Sequence, residues 1–240
     1  MSKKTLIITS FTIAVIIGVL FGVISVQKTL KKAQIDEYIN RATTAKNEQH
    51  YVDAFNLMSL ARKLDQQDTS LIIRQADIAF LNGDYDVSQT LYLEAGVTQN
   101  PQLLFTRALS QLSRGNFSSA VDILTQAQQS LTEQDPLTTS RITALITSIA
   151  EIMTETNSPK IQALTARTLI GEKAYTYSIE VLNNLITSEP QYKDAYYLRA
   201  VSFYSQGNAS KSRTDANAAL DIDPNYKAAR DLLAKLDDSK

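Results

Sequence analysis

Few residues in this chain have the type and spacing to do chemistry. It contains no cysteine, which removes thiolate nucleophiles, disulfides and Cys-rich zinc sites together. The single histidine, His50, sits in the segment Gln49-His50-Tyr51-Val52 with no second imidazole at metal-ligand spacing. It reads as a solvated turn residue. Two carboxylate pairs, Asp221 with Asp223 and Asp237 with Asp238, belong to an Asp-Pro helix stop and to a charged tail, so neither offers a credible acid and base. A glycine-rich phosphate loop and a Gly-x-Ser-x-Gly elbow are both missing. The sequence therefore predicts no catalytic, cofactor or metal residue, and no enzyme.

Charge narrows the partners. Lys3, Lys4, Lys28, Lys31 and Lys32 flank one apolar run, so 24 − 5 leaves 19 basic residues against 25 acidic ones, a net of −6 for the rest. No Lys and Arg cluster follows residue 32, whereas a groove for a phosphate backbone needs a basic stripe. Nucleic acid is not an expected partner.

The apolar run is TLIITSFTIAVIIGVLFGVISV, residues 5–26, which carries no charge. At about 1.5 Å per residue it would span roughly 33 Å, enough for a bilayer. It is longer than the apolar core of a secretory signal and lacks a good cleavage site, so it predicts an uncleaved single-pass anchor after a short tail, residues 1–4. The lysines on its two sides tie under the positive-inside rule. The charged start resembles that of an export signal, which favours a cytoplasmic tail and an extracytoplasmic domain. The opposite orientation, with the domain in the cytosol, is the alternative.

The elements behind the anchor are periodic. Pro190 and Pro224 lie 34 residues apart, each preceded by an acidic residue and followed by a tyrosine two positions on. Gly83-Asp84-Tyr85, Gly115-Asn116-Phe117 and Gly207-Asn208-Ala209 mark one recurrent turn, and the segments at Gln49 and Lys173 look like glycine-free versions of it. About 12 helix-compatible residues flank each. With only 7 glycines and 5 prolines in 240 residues, the composition favours helices throughout.

This 34-residue helix-turn-helix period resembles the tetratricopeptide repeat. Residues 193–226 fit through Tyr196, Ala200, Phe203, Ala219 and Pro224, departing from the pattern at Arg199, Ser212 and Ala216. The same frame sets repeats at 35–68, 69–100, 101–134 and 159–192, with alanine at the eighth position of all five: Ala42, Ala76, Ala108, Ala166 and Ala200. Residues 27–34 form a basic juxtamembrane linker. Residues 135–158 hold one extra helix, over 136–155 with an Asp-Pro start, that either continues the stack or separates two blocks; the missing linker composition favours a continuous stack. Residues 227–240 read as a capping helix and tail.

The resemblance implies an all-α, right-handed helical solenoid preceded by one transmembrane helix. It also implies a concave face that holds a protein or peptide partner. The family's inward positions fall on Ser70, Ile73, Asp77 and Phe80, on Phe105, Leu109 and Leu112, and on Asp194, Tyr197, Val201 and Tyr204. The clamp that some members use for a chaperone carboxylate is absent, since its positions read Ile39, Thr43, Arg74, Gln102 and Thr106. A structural accessory subunit, held by its lateral surfaces, is the alternative function.

Overall fold

The computed structural model describes residues 3–133 and 137–238, without the side chains of residues 3–18. Every regular element among the described residues is an α-helix: α1 (Lys3–Asn47), α2 (Tyr51–Leu64), α3 (Thr69–Asn82), α4 (Tyr85–Glu94), α5 (Pro101–Ser113), α6 (Phe117–Gln129), α7 (Thr139–Met153), α8 (Ser158–Gly171), α9 (Tyr175–Ser188), α10 (Lys193–Ser205), α11 (Ala209–Ile222) and α12 (Lys227–Asp238). The five turns read from the sequence all take the left-handed backbone that ends a helix. Gly83, Gly115 and Gly207 have φ of 84°, 77° and 75°, while Gln49 and Lys173 reach 63° and 60° without being glycine. The chain divides into two compact units, Met1–Ile78 and Ala79–Lys240.

In the first unit α1 and α2 form a hairpin closed by residues 48–50. Ala42, Ala54, Met58, Ala61, Leu71 and Ile78 make its core, with Tyr38, Ile39 and Phe55 packed on the flanks. Gln75 fixes α3 against α2, donating to Ser59 Oγ at 2.6 Å and accepting from Arg62 at 3.2 Å. The linker drawn from the sequence at 27–34 is helix: no glycine or proline interrupts residues 23–47, so α1 runs through it unbroken. Among the described residues no helix is long and apolar enough to cross a membrane. Most of the predicted anchor at 5–26 falls on residues 5–18, whose side chains lie outside the description.

The second unit is built around one large core that runs from Phe80, near the end of α3, to Leu198 of α10. The extra helix α7 is a single layer within it, placing Ile142, Leu145 and Ile149 in the same core as Leu124 and Ala127 of α6 and Ala163 and Ala166 of α8. Its N-terminus is Thr139, capped by the Thr138 hydroxyl accepting from Arg141 N. The Asp135-Pro136 start read from the sequence lies outside the described residues. At the C-terminus, Ala200 and Ala216 meet Leu232 and Leu236 of α12, the large neighbours that the small Ala216 calls for. All five eighth-position alanines are buried, because two helices approach closely only where a methyl group is the largest thing between them.

Candidate functional site

In the first unit the facing sides of α1 and α3 leave a cleft of about 340 Å³. Its apolar floor is Ala42, Met58 and Ile78, all buried in the hairpin core. Thr43 and Lys46 on α1, with Ser70, Ile73, Arg74 and Asp77 on α3, form the walls. The placement follows from helical periodicity: residues 43 and 46, and 70, 73, 74 and 77, are three or four apart, so each set shares one face. Local bonds hold the walls. Thr43 Oγ1 donates to the Ile39 carbonyl at 2.8 Å, and Ser70 N donates to Asp68 Oδ1 at 2.9 Å where α3 begins. Lys46 and Arg74 against Asp77 leave the lining one net positive charge. An apolar floor under a rim of mixed hydrogen-bonding groups suits a peptide side chain with its adjoining backbone.

Two of the nine predicted partner-binding residues, Ile73 and Asp77, therefore line a cleft, together with Ser70. Four others do not face outward. Phe80, Phe105, Leu109 and Leu112 are at most 1% exposed and belong to the core of the second unit. The expectation of an open concave face there is corrected by the course of the chain, since α8 and α9 pack on α5 where a partner would lie. Tyr197 and Val201 are half-buried against the C-terminal core, and Tyr197 meets the Tyr226 ring edge-on at 5.4 Å. Tyr204 is exposed.

A polar clasp holds the second unit closed. Arg141 of α7 lies over Phe105 at 4.7 Å and over Phe80 at 5.5 Å, donating through Nε to Glu172 Oε2 at 2.8 Å and through Nη2 to the Tyr85 hydroxyl at 2.9 Å. The Tyr85 hydroxyl in turn donates to the Glu172 carbonyl at 2.6 Å. Nearby, the Tyr177 hydroxyl donates to Asp86 Oδ1 at 2.7 Å. Burial pushes the Tyr85 phenol up, against the pull of Arg141, and burial followed by the Asp86 bond does the same for Tyr177. For Arg141 burial works against the charge, but Tyr85 and Glu172 outweigh it and its pKa stands above the ordinary value. These bonds tie α4, α7 and the turn after α8 together.

The sequence reading missed Lys46, Met58 and Ala42 as site residues. The signal was present: the inward positions applied to repeats two, three and five give Thr43 and Lys46 when applied to repeat one.

A search among curated protein sequences finds no match. Similar solved structures include the TPR domain of P58(IPK), at 13% identity and TM-score 0.40 over 88% of this chain and 67% of that one. The TPR2AB domain of yeast Sti1, in complex with pHSP90, is 13% identical with TM-score 0.35, over 87% of this chain and 84% of that one. YrrB, a TPR protein with an unusual peptide-binding site, is 17% identical with TM-score 0.32, over 87% and 96%. Residues 175–234, which span α9, α10, α11 and most of α12, match the tetratricopeptide repeat family model.

Proposed function

We propose that the chain is a membrane-anchored protein-interaction module whose recognition site is the α1–α3 cleft. The observation that carries this reading is the cleft itself, an apolar floor with a mixed polar rim at the inward positions of the first two repeats. The partner is a protein or peptide that places an apolar side chain on Met58 and Ile78 and sets polar groups against Thr43, Ser70 and Arg74. The anchor is the uncharged run 5–26, with the amino-terminal tail in the cytoplasm and the repeats outside it. The reading includes no catalysis and no nucleic acid.

A photoreactive side chain at Ile73, in the full-length protein in its native membrane, is expected to crosslink one protein, and Arg74→Glu is expected to abolish that crosslink with helicity unchanged. No crosslink, or one indifferent to Arg74→Glu, defeats the cleft as the site. A second reading, an accessory subunit held by lateral surfaces, draws support from the second unit, whose own helices fill the expected groove. Crosslinks from Val87 or Leu93, exposed on α4, would then carry the partner instead. Protease added to intact cells or spheroplasts tests the orientation, with digestion of the repeats expected and full protection decisive for the cytosolic alternative.

A further inference from the structure

A helix whose large apolar residues are exposed around most of its circumference has no protein neighbour to bury them. Val19, Leu20, Phe21, Val23, Ile24 and Val26 of α1 are each 50% to 74% exposed, and at 100° per residue they cover roughly 220° of the helix, the uncharged Gly22 and Ser25 taking the rest. Immediately beyond them come Lys28, Lys31 and Lys32, all exposed. An uncharged, mostly apolar surface followed by a short cationic collar is complementary to a bilayer and its headgroups. The same helix continues without a break to Asn47 and supplies the Ala42 that packs in the hairpin core.

The hairpin fixes what else must lie at that level. Antiparallel to α1, α2 returns toward the collar, and its C-cap Asp65 meets Lys31 at 3.9 Å. Lys31 is five residues past Val26, a rise of about 7.5 Å along the helix. The headgroup layer on each side of the hydrocarbon is about 5 to 7 Å thick. The α2–α3 loop, residues 65–68, therefore comes level with the outer headgroups, while the α1–α2 turn at Glu48, 22 residues past Val26, lies roughly 33 Å away. A helix tilt of about 20° shortens these heights by less than about a tenth.

We propose that the first helical hairpin stands upright on the bilayer, with α1 passing unbroken from lipid into the first repeat and the loop 65–68 resting at a lipid headgroup surface. This rests on the anchor reading above, and adds to it that anchor and recognition module are one rigid rod. The α1–α3 cleft, with Lys46 and Asp77 toward its far end, then opens sideways along the membrane. It is placed to take a segment of a neighbour in the same membrane that rises from the surface.

The chain has no cysteine, so single labels are simple to place. Full-length Gln66→Cys and Glu48→Cys proteins carrying a bimane fluorophore are reconstituted in phosphatidylcholine–phosphatidylglycerol vesicles with a headgroup-nitroxide lipid, and recovered by flotation. Quenching at position 66 is expected to exceed that at 48 several-fold, and the pair Gln67→Cys and His50→Cys, both exposed, is expected to repeat the contrast. Equal quenching at the two ends in protein that floats overturns the upright hairpin and leaves the anchor standing. Protein that does not float overturns both.

Discussion

Gly83 shows how much one hydrogen atom decides. A Cβ there would sit 3.1 Å from the Lys173 carbonyl oxygen, in a backbone conformation of φ 84° that side chains avoid. At Gly115 the φ is similar, 77°, but a Cβ meets nothing within 4 Å. Gly115→Ala is expected to cost about 1 kcal/mol, the strain of the left-handed turn alone. Gly83→Ala adds a backbone clash and is expected to cost about 2 kcal/mol or more. Denaturant unfolding of the two variants checks this, and equal losses would show that the approach of the two turns is not rigid. Arg199 departs from the repeat pattern for a similarly local reason. It forms a two-pronged pair with the buried Asp215, both N–O distances 2.7 Å, and also donates to Asn183.

Among the elements, α7 does more than fill a gap in the alternation of helices. Its apolar face joins α6 to α8, and Arg141 on its first turn gathers Tyr85, Glu172, Phe80 and Phe105 into one latch. Arg141→Met keeps most of the side-chain bulk but leaves Glu172, partly buried, without its cation. A loss of about 2 to 3 kcal/mol is expected, below the full cost of a wholly buried pair because the guanidinium is 31% exposed. A change under about 1 kcal/mol in thermal or chemical unfolding would mean that the ring packing holds the unit closed and the ion pair adds little.

On the scale of the whole molecule, the phenols of the second unit give stability a definite pH dependence. Tyr85 and Tyr177 have folded pKa values above the unfolded value of about 10. Their protonated forms thus favour folding fully below about pH 10, and that contribution is lost as pH rises through the raised folded values. The protein is expected to lose stability between about pH 9 and about pH 11 more steeply than a Tyr85→Phe, Tyr177→Phe double variant, in which those groups do not ionise. Denaturation midpoints at the two pH values decide it, and parallel losses in both proteins would remove these tyrosines as the cause.

The sequence by itself determined the helices and the turns. These depend on neighbours three to eight residues away, as shown by Gln49 and Lys173, which take the left-handed turn where the period demanded it without being glycine. Ile73 and Asp77, four residues apart on α3, share one face for the same local reason, and both line the cleft. What only the tertiary structure decided is which apolar positions remain open. Phe105, Leu109 and Leu112 have the same spacing as a binding face, yet α8 and α9 cover them from far along the chain. No local pattern distinguishes an apolar side chain awaiting a partner from one already buried by its own chain, because burial releases the same hydration water in either case.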